Sequence, residues 1–140
     1  MVQDSRIAIA PRNDTEAYVC WDISPQQRQD IQAQGKTGLT LYICDVTDCC
    51  LEYKKGSAEQ YKDDGVSRRP KVRSMVNNAH WVQSYPCPPR SHDCYVTIPA
   101  LYRDYVAELG YLNQHGEWAL VTQSLPLRMY PIQSSTSQAS

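Results

Sequence analysis

Residues 105–124 read YVAELGYLNQHGEWALVTQS, and this stretch decides the fold. Tyr105 to Leu112 is the strongest strand in the chain, rich in β-branched, aromatic and aliphatic side chains. Asn113-Gln114-His115-Gly116 supplies turn residues, and Glu117 to Ser124 reads as the return strand. Two runs joined by so short a loop pair antiparallel, since a parallel partner needs a long crossover.

The same period of two recurs upstream. Tyr95 and Thr97 oppose Val96 and Ile98 up to Pro99, and Leu39, Leu41 and Ile43 oppose Thr40, Tyr42 and Cys44. Ala17, Val19, Trp21 and Ile23 share one face against Tyr18, Cys20 and Asp22. Ser24-Pro25-Gln26-Gln27 then reads as an N-cap, a proline at the first helical position and a capping-box glutamine. The helix it opens runs to about Gln34, where Gly35 and Gly38 end it, and its one large apolar residue, Ile31, can only pin it to the sheet. Asp45-Val46-Thr47-Asp48 is a strand exit whose side chains can close a turn, and a weaker strand is expected near Leu51 to Tyr53. Several short strands, one helix and no βαβ rhythm predict an antiparallel β-sandwich. Residues 15–130 form this domain, after an N-terminal extension over 1–14 and before a disordered tail over 131–140. Residues 54–93 are expected to be a long irregular inserted loop, punctuated by Pro70, Pro86, Pro88 and Pro89.

Composition narrows the function. The chain has 140 residues, enough for one domain with its own core, and that core must use aliphatics, 10 Tyr and 3 Trp, because Phe is absent. Fourteen basic against fifteen acidic residues give a net charge of -1, which argues against a protein that coats nucleic acid or anionic lipid. No apolar run approaches a membrane span, and MVQDSRIAIAPRND lacks the pattern of a secretory leader, so a cytoplasmic location is expected. The six cysteines are then free thiols, and with no C-x-x-C pair they are not expected to hold zinc.

The segments AYVCWDIS, LTLYICDVTD and IPALYRDYVAELGYLNQHGEWALVTQSLPLR, in that order, resemble family 4912 of bacterial domains of unknown function, widespread in cyanobacteria. The resemblance covers roughly residues 15–54 and 94–130, with an extra Ile43-Cys44 inside the element the family writes as Leu-Tyr-Asp-Val-Thr. It implies an immunoglobulin-like sandwich and carries no established activity. On that fold Trp21, Leu41, Ile98 and Tyr105 are structural core, and the Tyr105 hydroxyl, placed as in a tyrosine corner, ties back near Pro99 or Ala100.

No motif of nucleophilic, phosphate-binding or metal-assisted catalysis is present, so no catalytic residue, metal or cofactor is expected. His80, His92 and His115 fall in turns and loops, and Cys94 beside His92 is a weak candidate for a thiol–imidazole pair against ordinary surface roles. From Val66 to His92 no acidic residue occurs, while Arg68, Arg69, Lys71, Arg73 and Arg90 alternate with Trp81 and Tyr85. These seven residues are the expected partner-binding set. Guanidinium groups and aromatic rings suit a protein interface, and with less support from the net charge, single-stranded nucleic acid or RNA. The loop is expected to be removable over 66–90 without loss of the fold. Tyr18, Tyr42, Tyr53, Tyr61, Tyr102 and Tyr111 offer a third possibility, an aromatic platform for glycans, set against cross-strand packing; Arg103-Asp104 beside Tyr102 reads as corner packing. The expected function is a non-enzymatic module that docks on a larger cytoplasmic assembly, in the setting the resemblance implies a photosynthetic or other multisubunit complex.

Overall fold

The computed structural model describes residues 4–35, 38–49 and 73–132. Among them run eight strands and one helix: β1 (Arg6–Asn13), β2 (Glu16–Asp22), α1 (Pro25–Gln34), β3 (Thr40–Asp45), β4 (Trp81–Pro86), β5 (Asp93–Thr97), β6 (Asp104–Leu112), β7 (Trp118–Gln123) and β8 (Leu127–Arg128). Two antiparallel sheets result, a smaller one in the order β1-β2-β5 and a larger one in the order β4-β3-β6-β7, with β8 also paired to β6. This is an all-β sandwich with one short helix.

The inward faces are those the alternation picks out. Ala17, Val19, Trp21 and Ile23 meet Leu41, Ile43, Val96, Ile98, Tyr105, Ala107 and Leu109 in one core, closed by Met129. Full burial of each large aliphatic side chain contributes about 1.5–3 kcal/mol. The Tyr105 hydroxyl donates to Ala100 O at 2.8 Å and accepts from Ala100 N at 3.2 Å, so the phenol buried deepest in the core has its polar tip satisfied.

β3 and β6 are covered on their other face as well. Cys44, Val46 and Val106 pack against Met75, with Val76, Ala79 and Val82 around them. Glu108, on β6, is fully buried there and holds the covering segment in place. Its carboxylate accepts from Ser74 Oγ and Met75 N at 2.6 Å each, from Gln123 Nε2 at 2.9 Å and from Trp118 Nε1 at 3.4 Å. Four neutral donors around one carboxylate meet the requirement that a buried charge be hydrogen-bonded.

Two stretches differ from the sequence reading. The expected extension over 1–14 contains β1, which pairs with β2 through Ile7 to Trp21 and Ile9 to Val19 and turns both isoleucines toward the core. Pro11 obscured it, yet proline is tolerated on an edge strand, and it lies where the register shifts. The expected loop over 54–93 contains β4, on the edge beside β3, with Asp45 opposite Trp81 and Leu41 opposite Tyr85. Pro86 ends that strand without forbidding it. Removal of residues 66–90 therefore takes away a strand and the cover of the outer face. The weak strand near Leu51 to Tyr53 and the tail beyond residue 132 lie outside the described residues.

α1 begins and ends where its sequence signals place it, but the return half of the capping box is not made, because Ser24 N donates to Ser5 Oγ at 2.8 Å and the Gln27 side chain bonds Ser5. The Ser24 side chain accepts from Gln27 N at 3.2 Å, Pro25 opens the helix, and Gly35 N donates to Ile31 O at 2.8 Å where it ends. No residue of α1 is buried.

Candidate functional site

The residues expected to bind a partner are distributed unevenly. Trp81 and Tyr85 both pack against the core. Trp81 stands edge-on to Tyr105 with ring centroids 6.3 Å apart, and the Tyr85 hydroxyl accepts from Thr97 N at 2.9 Å, joining the edges of the two sheets. Arg73 and Arg90 are exposed, whereas Arg68, Arg69 and Lys71 lie outside the described residues. The two rings therefore face inward, away from the solvent that Arg73 and Arg90 meet. Trp21, Leu41, Ile98 and Tyr105 are all buried.

The tyrosines separate in the same way. Tyr111 is buried and Tyr42 packs edge-on against Trp118 at 4.7 Å. Tyr102 and Tyr130, by contrast, are 58% and 56% exposed and meet edge to face with centroids 5.9 Å apart. Tyr53 and Tyr61 lie outside the described residues.

The backbone beneath the Tyr102–Tyr130 pair is firmly fixed. Tyr102 sits at φ 61°, the left-handed region a tyrosine seldom adopts, and its N–H donates to Met129 O at 2.6 Å. Met129 N returns a bond to Arg103 O at 3.1 Å. Arg103 Nε donates to Asp45 Oδ2 at 2.9 Å, and Arg128 donates through Nε and Nη2 to both oxygens of Asp104 at 2.9 Å each. Thr47 Oγ1 donates to Asp45 Oδ1 at 2.6 Å and accepts from Asp104 N at 2.9 Å, while His80 Nε2 lies 2.8 Å from Thr47 O. Burial opposes the Asp45 charge, but the bonds from Thr47 and Arg103 outweigh it and hold this carboxyl below its ordinary pKa. Ile132, 44% exposed, is fastened near the β1–β2 turn by its N–H to Asp14 Oδ1 at 2.8 Å.

A second aromatic pair lies on the outer face of the smaller sheet. Tyr18 and Tyr95 are cross-strand partners with centroids 5.2 Å apart, and the Arg12 guanidinium stacks 4.6 Å above the Tyr95 ring. The Tyr18 hydroxyl donates to Asp93 Oδ2 at 2.7 Å, which pushes its pKa up to about 12. Tyr95 could be placed from sequence, because Val96 faces in. Tyr130 and Arg12 carried no such signal, lying in a two-residue strand's exit and in a strand the proline concealed.

Burial, and then Asp93, raises the Cys94 thiol above its ordinary pKa, which is the reverse of what activates a nucleophile. Among the described residues no group of three His, Cys, Asp or Glu side chains is placed to hold a metal ion, and no helix is long and apolar enough to cross a membrane.

Fold and surface together define a small antiparallel β-sandwich that presents paired tyrosines at one end and on one sheet face. The chain belongs to the family described as a domain of unknown function, DUF4912, whose profile matches it over residues 3–75 and 66–139. No curated protein matches it. A solved structure titled "Myokine structure" aligns over 92% of this chain and 98% of that chain, with 8% identity and a TM-score of 0.42.

Proposed function

We propose that this domain is a non-enzymatic, cytoplasmic interaction module that docks on a partner protein within a larger assembly, with the Tyr102–Tyr130 end as its contact surface. The observation that carries this reading is two exposed tyrosines on a backbone locked by Met129, with Arg103 and Arg128 immobilised behind them. Tyrosine and arginine dominate the energetics of protein interfaces, and rings already held in place lose little freedom on binding. A left-handed tyrosine costs on the order of 1 kcal/mol and persists where the surroundings fix it. The basic stretch Arg68, Arg69 and Lys71 would add electrostatic attraction toward an acidic partner.

The test compares tagged wild-type protein with Tyr102→Ala/Tyr130→Ala and with a control, Gln114→Ala, in the hairpin between β6 and β7. A partner retained by wild type and control but lost from the double variant, with an affinity drop of roughly 30-fold or more, supports the reading. Identical recovery by all three proteins overturns it. Oligonucleotide binding that weakens steeply with salt and survives the double substitution would replace it with a nucleic-acid function.

A further inference from the structure

α1 presents a problem of its own. Its sequence PQQRQDIQAQ is almost wholly polar, no residue of it is buried, and Ile31 is its one side chain against the core. A free helix of ten residues is marginal in water. Its ends are nevertheless held: Ser5 bonds the Gln27 side chain and accepts from Ser24 N at 2.8 Å, and Gly35 bridges to Asn113. A helix fastened at both ends but hardly packed along its length leaves space beneath it.

That space is a cleft of about 540 Å³ between α1, the approach to β3 and the segment after β4. Sites for small ligands commonly enclose roughly 300–1,000 Å³. Ile31, Leu39, Pro89 and Cys87 give it apolar walls, Gly35 and Gly38 add bare backbone, and Gln32 and Arg28 stand at its mouth. Burial pushes the Cys87 thiol up to about 11, so it is neutral at physiological pH. Arg28 is then the charged side chain among the described residues of the lining, and its guanidinium has no hydrogen-bond or ion-pair partner among the described residues.

We infer that this cleft binds a carboxylate attached to an apolar body, with Arg28 taking the carboxylate and Ile31, Leu39 and Pro89 the apolar part. A single guanidinium fork matches one carboxylate through two parallel hydrogen bonds. α1 is polar outside because it serves as one wall of this site and not as a core element. The carboxylate could be that of a free aliphatic acid or that of a peptide chain ending in apolar residues.

Isotope-labelled full-length protein is titrated with decanoate, with decanol, with acetyl-Ala-Ile-Leu and with its C-terminal amide, while the amide resonances of Gly35, Gly38 and Leu39 are followed. Saturable shifts with one acid or both, about tenfold weaker for the neutral counterpart, support the inference. Decanoate alone identifies a free acid, and the peptide acid alone a chain terminus. Arg28→Ala, an exposed position whose loss leaves the fold intact, is expected to erase the preference for the acid, and Arg28→Lys to retain part of it. Absence of shifts from both acids, equal binding of acid and neutral forms, or an unchanged preference in Arg28→Ala overturns the inference.

Discussion

Replacing Gly110 by alanine is expected to destabilise the domain by about 2 kcal/mol, read as a lower denaturation midpoint with an unchanged slope. A Cβ at this position would come within 2.6 Å of the Trp118 ring and nearer still to the Ala119 carbonyl, at the point where the β6–β7 register shifts. The backbone cannot yield there without breaking the pairing. Tyr105→Phe removes both hydrogen bonds to Ala100 and keeps the ring, and about 1–2 kcal/mol should be lost in the same measurement. The position of that hydroxyl could be read in the sequence, because a tyrosine opening a strand shortly after Pro99 has its own preceding loop within reach. The need for glycine at 110 could not, since it arises from a bulge that no local residue announces.

Among the elements, strands with unbroken alternation were visible from the sequence and edge strands containing proline were not. β2, β3, β5 and the β6–β7 hairpin declare themselves through inward aliphatics, whereas Pro11 and Pro86 make β1 and β4 look like connections. β3 also departs from simple alternation, for Cys44 on its outward face is fully buried beneath residues 73–79. That covering segment depends on Glu108. Glu108→Gln puts an NH₂ group among four donors, so we expect a loss of about 2 kcal/mol and hydrogen exchange at the Met75 amide at least ~10-fold faster. An unchanged Met75 exchange rate would show that the cover is held by apolar contact alone.

For the molecule as a whole, deletion of residues 66–90 is expected to abolish cooperative unfolding, because it removes β4 together with Met75. Circular dichroism and a thermal scan check this. Stability should also depend on acid. The Asp45 carboxyl has a lower pKa folded than unfolded, so its contribution is present above the ordinary carboxylate range, near pH 3.9, and is lost as pH falls through the depressed folded value. Asp45→Asn should flatten that part of the pH–stability curve at the cost of lower stability at pH 7. The proposed contact surface was only half legible: Trp81 and Tyr85 had the composition of a binding patch, but cross-strand pairing turned them inward, and Tyr102 stood out among the tyrosines, whereas its pairing with Tyr130 follows from a tertiary bond of Tyr102 N to Met129 O. The second covered face has a practical consequence. Burial and the neighbouring Glu108 charge raise the Cys44 thiol well above its ordinary pKa, making it inert to alkylating reagents while residues 73–79 are in place. In a background lacking the other cysteines, the rate at which Cys44 becomes labelled is a built-in clock for its uncovering, and labelling faster than global unfolding would mark a separate lifting of that flap.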